Sequence, residues 1–130
     1  MKRWISLLLV AVLAVALGTA ATHAFGAEEG AGVEAKGACS LGSQWTLHMG
    51  TEIGVEFEVA INSGVPDQTW ILELHYNKHP LFRGKEMTED DGGFEVRKVE
   101  NNAPGVDLAF LRAHNPATGE TCAGQLEAEL

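Results

Sequence analysis

The stretch IGVEFEVAI, residues 53–61, decides the fold, because apolar and charged side chains alternate along it. Glu52, Glu56 and Glu58 share one parity, and the apolar residues share the other. A period of two sustained over this length is typical of a β-strand with one buried face and one solvated face. The residues predicted to face the core are Ile53, Val55, Phe57, Val59 and Ile61.

The same alternation recurs in shorter runs on both sides of this stretch. It predicts further strands within residues 45–49, 69–76, 94–96, 106–110 and 121–126. The side chains predicted to face the core in these runs are Trp45, Leu47, Met49, Trp70, Leu72, Leu74, Tyr76, Phe94, Val96, Val106, Leu108 and Phe110.

Turn-forming residues separate the runs. Asn77-Lys78 is predicted to be a two-residue hairpin turn, because Asn adopts positive φ readily, and pairing through it would set Leu74 opposite Leu81. Gly, Pro, Asn and Asp also cluster within residues 62–67, 90–93, 101–105 and 115–119. Because no helical period follows the N-terminal segment, the sequence predicts an all-β antiparallel sandwich of about seven strands.

The N-terminal segment has the pattern of a helical secretory leader. Lys2 and Arg3 precede an apolar run over residues 4–17, and small residues lead to a cleavage site after Ala24. A positive region, an apolar region and a small-residue site in this order predict a signal peptide over residues 1–24. The mature protein is therefore predicted to be secreted.

A retained signal anchor is the alternative, since the apolar run is close to the minimum length for a bilayer span. Against it, residues 18–21 dilute the hydrophobicity, and no charged cluster follows. Residues 25–38 are mostly Gly, Ala and Glu without a period, so they are predicted to be a flexible lead-in. The sandwich domain is assigned to residues 39–130.

The charge balance restricts the partners. The whole chain has a net charge of −9, and cleavage makes it more acidic because Lys2 and Arg3 are lost while all 18 acidic residues remain. Nucleic acid and anionic membranes both require a basic surface, so neither is an expected partner after leader removal. Cations, basic proteins and simple solubility of a monomer remain open.

Residues 88–96, TEDDGGFEV, resemble a known hairpin motif. Immunoglobulin-like and prealbumin-like sandwich modules of bacterial secreted and surface proteins use a Thr-x-Asp-x-x-Gly-x-Phe hairpin to enter a core strand. Residues 105–108, GVDL, are similar to the glycine-led strand that follows in those modules. The resemblance implies an immunoglobulin-like sandwich that serves as a spacer or binding module, and it carries over no catalytic residue.

The two cysteines, Cys39 and Cys122, lie near the two ends of the predicted domain. In an oxidising compartment such a pair predicts a disulfide rather than a metal site. A reactive pair would need Cys-x-x-Cys spacing or a basic neighbour, and neither is present. Closing a loop of this length stabilises a fold by about 4–5 kcal/mol in the chain-entropy model.

Three consecutive carboxylates, Glu89, Asp90 and Asp91, provide the metal-site alternative. Together with Thr88 and the carbonyls of a glycine turn they could offer oxygen ligands to calcium. Their spacing lacks the alternation of an EF-hand loop, and acidic turns are often simply solvated. We therefore expect no metal and no cofactor, and keep calcium binding or calcium stabilisation as the alternative.

Zinc binding and catalysis have less support. His75 and His79 flank the Asn77 turn but are predicted to point to opposite faces of the hairpin, and a structural zinc site needs four converging ligands. The remaining mature histidines, His48 and His114, are isolated. No serine lies in a Gly-x-Ser-x-Gly elbow, and no carboxylate pair or glycine-rich phosphate loop is evident. The sequence therefore predicts that the protein is not an enzyme.

Most of the mature positive charge lies in the middle strands, interspersed with glutamates. Cross-strand ion pairing on a solvated sheet explains this pattern without any ligand. The more specific hypothesis is a mixed-charge face that binds a protein. The sequence thus predicts a secreted, non-catalytic module that presents a surface to an unknown protein partner. The residues concerned are Arg83, Lys85, Arg97, Lys98 and Arg112, with Glu73, Glu95 and Glu100.

Overall fold

The structure is a computed structural model, and it describes residues 32–130. The predicted signal peptide, its cleavage site and residues 25–31 of the lead-in lie outside the described residues. Residues 32–130 form eight β-strands and no helix. The strands are β1 (Val33–Ala38), β2 (Gln44–Thr51), β3 (Val55–Asn62), β4 (Thr69–Tyr76), β5 (His79–Met87), β6 (Gly93–Glu100), β7 (Asp107–His114) and β8 (Thr121–Ala128).

The strands form two four-stranded sheets, and every pairing in them is antiparallel. The first sheet has the order β1-β2-β3-β6, and the second has the order β5-β4-β7-β8. The chain crosses between the sheets after β3, β5 and β6. The predicted all-β antiparallel sandwich is confirmed, with one strand more than expected, and it is compatible with an immunoglobulin-like fold.

The additional strand is β1, which occupies residues assigned from sequence to the flexible lead-in. It pairs with β2 along its full length, from Val33 opposite Met49 to Ala38 opposite Gln44. Its inward residues are small and only half-buried, so its alternation is faint in the sequence. This segment is extended because it pairs with β2, whose alternation is clear, and not because of its own sequence pattern.

The core lies between the two sheets and contains the inward residues predicted in β2, β3, β4 and β6. Phe57 and Tyr76 meet across the sandwich with ring centroids 4.9 Å apart. The predicted residues that are buried are Trp45, Leu47, Met49, Val55, Phe57, Val59, Ile61, Trp70, Leu72, Leu74, Tyr76, Phe94 and Val96.

Ile53 was predicted to face the core, but 85% of its surface is exposed. It lies in the turn between β2 and β3, and β3 begins only at Val55. Gly54 explains the break, because its φ of 81° is in the left-handed region and its backbone packs against the carbonyl of Glu100. The strand alternation therefore cannot extend back to Ile53.

In β7 the buried parity is the opposite of the one predicted. Leu108 and Phe110 lie half-buried on the outer face, and Val106 precedes the strand and is exposed. Arg112 and His114 share the parity of Leu108 and Phe110, and turning that face inward would bury unpaired polar groups. The inward residues are instead Asp107, Ala109, Leu111 and Ala113.

The Asn77-Lys78 turn is confirmed, with φ values of 47° and 70° that suit a type I′ hairpin. The register through it differs from the prediction. A β-bulge after Leu74 shifts the pairing, so that Leu74 lies opposite Phe82 rather than Leu81. The extra residue lets β5 keep Phe82 against the core despite the tight turn.

Candidate functional site: the clamped edge and the two outer faces

A disulfide joins Cys39 to Cys122, with their Cα atoms 4.4 Å apart. Cys39 follows β1 and Cys122 lies in β8, so the bond connects the edges of the two sheets. The predicted bond is confirmed, although Cys39 follows the first strand rather than preceding it. A disulfide is consistent with an extracytoplasmic protein.

The indole of Trp45 fills the seam beside this bond. It packs over Gly37 of β1 and Gly124 of β8, where an added Cβ would lie 2.8 Å and 2.4 Å from the ring. Both positions therefore require glycine or a displaced indole. The covalent bond and the buried ring together close this edge of the sandwich.

Glu120 forms a second clamp at the same edge, and only 5% of its surface is exposed. Its carboxylate accepts hydrogen bonds from Leu41 N at 3.0 Å, Ser43 N at 2.9 Å and Ser43 Oγ at 2.5 Å. Burial alone would raise the pKa of Glu120, but these hydrogen bonds outweigh it and lower the pKa. No motif or periodicity in the sequence marks this residue.

Tyr76 and Asp107 form a buried polar pair at the other end of the domain. The Tyr76 hydroxyl donates to the Asp107 carboxylate, which also accepts from Leu130 N at 3.3 Å. The same hydroxyl accepts from Ala103 N. Burial and the bond to Asp107 raise the pKa of Tyr76. The pair ties the β6–β7 loop and the C-terminal residues to β4, which is a structural role.

The acidic turn predicted as a calcium alternative connects β5 to β6, with Glu89, Asp90 and Asp91 exposed. Asp91 Oδ1 accepts from Gly93 N at 2.9 Å, so one of its oxygens already closes the turn. Thr88 is buried, and its Oγ1 donates to a backbone carbonyl of the β3–β4 loop. Within residues 32–130 no group of three His, Cys, Asp or Glu side chains is arranged to hold a metal ion.

The histidines are dispersed over the described part of the chain. His75 lies on an outer face, 3.7 Å from Glu73, whereas His79 is paired with the buried Tyr76 across the hairpin. His48 lies on the other outer face, and His114 is exposed at the end of β7. The hydroxyls of the three serines in this part of the chain take part in turn contacts. Ser40 Oγ accepts from Thr121 N, Ser43 Oγ donates to Glu120, and Ser63 Oγ donates to Gln68.

The outer face of the first sheet is predominantly acidic, and we call it the acidic face. Arg97 contacts the carboxylates of Glu56 and Glu58, the latter at 3.6 Å. A hydrogen bond with Glu58 raises the pKa of the neighbouring Glu95. The outward charged residues of this face are Glu34, Lys36, Glu56, Glu58, Glu95 and Arg97.

The outer face of the second sheet carries the opposite charge, and we call it the basic face. Arg83 and Arg112 lie on either side of Glu73 in register, and the Arg83 guanidinium is 3.2 Å from the Glu73 carboxylate. Lys85 and His114 flank Ile71 in the neighbouring row. With Glu127 of β8, the face has two carboxylates against the three cations Arg83, Lys85 and Arg112, although the whole chain is acidic.

The basic face also has an apolar centre. The Arg112 guanidinium lies 5.7 Å from the Phe110 ring centroid, and the His75 ring meets the same ring edge-on at 6.3 Å. Beside them lies an open depression of about 250 Å³. Its lining residues are His75, Lys78, Leu108, Phe110 and Gln125.

The cross-strand ion pairs expected from sequence are present on both faces, as Arg83 with Glu73 and Arg97 with Glu58. Lys98 differs from the other cations, because its Nζ lies 5.0 Å from the Phe82 ring. This contact joins β6 to β5 across the two sheets, so Lys98 closes the edge opposite the disulfide. It is not part of either face.

Comparison of the chain with protein-family models, with curated proteins and with solved structures found no match. Among residues 32–130 there is no helix of the length and apolarity that a bilayer crossing requires. The clamped edge and the two outer faces are therefore the observations from which a function is argued.

Proposed function

We propose that the chain is a secreted, monomeric, non-catalytic binding or structural module that presents the surface of its sandwich to a protein partner. The difference in charge between the two outer sheet faces carries the proposal. On a surface that serves only solubility, charges of both signs can be interspersed freely. Here Arg83, Lys85 and Arg112 lie on one face, beside half-buried apolar side chains.

The rigidity of the scaffold supports the same function. The disulfide, Trp45 and Glu120 clamp one edge, and the Lys98–Phe82 contact closes the other. A surface held on clamped strands loses little conformational entropy when a partner binds. Antiparallel sheets also present their outer side chains in a fixed register.

The module type we propose is the immunoglobulin-like or prealbumin-like sandwich of bacterial secreted and surface proteins. The roles of the motif residues support this proposal. Thr88 is buried and bonds the β5–β6 turn to the β3–β4 loop. Gly92 has a φ of 82°, and Phe94 then enters the core at the start of β6.

The test is cross-linking of the exported protein on intact cells of its own organism, followed by mass spectrometry of the adducts. We expect one protein to be enriched and to bind the purified domain saturably after reconstitution. The control is the Cys39→Ser, Cys122→Ser double variant, which lacks the covalent clamp. The absence of any partner that binds the intact domain would refute the proposed function.

A further inference from the structure

We propose that the basic face is the docking surface, and that its partner is a polypeptide segment carrying carboxylates around an exposed apolar side chain. This inference rests on the proposed function and names the face and the partner chemistry. It is argued from the outward residues of β5, β4, β7 and β8.

The charge of the basic face supplies the first part of the argument. Arg83, Lys85 and Arg112 are all exposed, and 77% of the Arg83 side chain is accessible. The face also carries two carboxylates: Glu73, which bonds to Arg83, and Glu127, which lies opposite Leu108 at the far end of β8. Complementary electrostatic potentials on two proteins steer their diffusional encounter and fix the register in which they bind. A carboxylate from a partner would meet Lys85 and Arg112 without displacing a strong existing ion pair.

The apolar centre supplies the second part. Leu108 and Phe110 line a depression of about 250 Å³ that opens to solvent. Arg112 and His75 already pack on the Phe110 ring, so the ring is held in place before a partner arrives. An apolar side chain that enters this depression would remove apolar surface from water on both molecules. Buried apolar anchors surrounded by a polar rim are typical of protein interfaces.

These features favour an acidic polypeptide over a nucleic acid. A nucleic acid needs a continuous basic track for its phosphates, whereas Glu73 lies in the middle of this face and the chain as a whole has a charge of −9. A polypeptide can place its carboxylates opposite Lys85 and Arg112 and avoid Glu73 and Glu127. It can also supply the apolar side chain that the depression fits.

A second copy of this chain fits less well. Its acidic face would have to dock on the basic face of the first copy, which is a heterologous contact. Such a contact leaves one acidic face and one basic face free, so it propagates into open chains unless the rotation closes a ring. Self-association through this face is therefore an outcome of the test and not part of the proposal.

The test uses the ¹⁵N-labelled exported protein and three synthetic octapeptides. The first has Leu-Phe at its centre with two carboxylates on each side, the second replaces the acids by lysine, and the third replaces Leu-Phe by Ser-Ser. We expect saturable amide shifts around Ile71, Phe110 and Arg112 with the first peptide. The lysine peptide should give none, and the Ser-Ser peptide should bind more weakly.

Matched variants locate the contact. Arg112→Glu should weaken binding of the acidic Leu-Phe peptide by about tenfold or more, the factor expected for reversing one close charge. Arg97→Glu makes the same change on the acidic face and should leave the affinity unchanged. Circular dichroism of both variants checks that the sandwich is intact. Equal effects of the two substitutions would overturn the proposal.

Several results would also overturn it. These are shifts confined to the acidic face, equal binding of the lysine or Ser-Ser peptide, equal binding of a single-stranded oligothymidine, and no saturable shift at all. Concentration-dependent broadening of the basic face without peptide would assign that face to a second copy. If cross-linking on cells still finds a partner on another surface, the proposed function survives and only this inference fails.

Discussion

The Glu120 clamp offers the sharpest test of how the two sheet edges are held. Replacing Glu120 by Gln keeps the shape of the side chain but removes the charge that binds Leu41 N, Ser43 N and Ser43 Oγ. Hydrogen bonds to a charged group contribute about 1.5–3 kcal/mol each, and their contributions are not additive. Gln retains one acceptor oxygen, so we expect the free energy of unfolding to fall by about 2–4 kcal/mol.

The pH dependence of this loss identifies its cause. The folded-state pKa of Glu120 is lowered from its ordinary value of 4.5, so the folded protein binds this proton less readily than the unfolded chain. The stabilisation is fully present above that ordinary value, and it is lost as the pH falls through the folded pKa. The difference between wild type and Glu120→Gln should therefore be largest at neutral pH and shrink in acid.

The assay is urea denaturation of the oxidised protein at a series of pH values from about 7 to about 3. Other carboxylates titrate in both proteins, so their effects cancel in the difference. Glu89→Gln, on the exposed β5–β6 turn, is the matched control and should change stability little. The reasoning is refuted if Glu120→Gln unfolds like wild type at neutral pH, or if its deficit stays constant in acid.

The remaining predictions concern the disulfide, the core and calcium. Intact mass and thiol titration of exported protein should show cleavage after the leader and no free thiol, and reduction should lower the free energy of unfolding by about 4–5 kcal/mol. Phe57→Ala should cost about 3–5 kcal/mol by urea denaturation, whereas Phe110→Ala on the outer face should cost clearly less; equal costs would contradict the core assignment. Calcium should leave the melting temperature unchanged. A site at Asp90 and Asp91 would instead add about 2.7 kcal/mol at a hundredfold excess over Kd, and Ala at both positions would abolish that gain.

The fold class could be predicted because strong local signals agreed with one another. Residues 55–61 alternate clearly, and Asn77 takes the positive φ value that asparagine adopts readily in hairpin turns. β1 was missed because Ala35 and Gly37 carry little apolar surface, and its extended form depends on pairing with β2. Local pattern cannot show that kind of dependence.

The clamp was only half predictable. Two cysteines in a chain predicted to be exported indicate a bond whatever the fold. Glu120 gave no comparable signal, because its partners lie 77 and 79 residues away and the surface of an acidic chain is full of glutamates. Its role depends on the disulfide and the strand register, which bring residues 39–43 against the β7–β8 turn.

The parity of β7 links the fold to the proposed docking surface. Leu108 and Phe110 are its most conspicuous apolar residues, and a short window over them predicts that they face the core. Extending the window adds Arg112 and His114 to the same parity. The other parity contributes Ala109, Leu111 and Ala113, and its one charged residue in β7, Asp107, is buried with the Tyr76 hydroxyl as its partner. The inward side chains of β7 include the small Ala109 and Ala113, while Leu108 and Phe110 remain on the outer face. Phe110, an aromatic residue that the core could have used, thus lies half-buried on the outer face beside Arg112, and this arrangement supports the proposed docking surface.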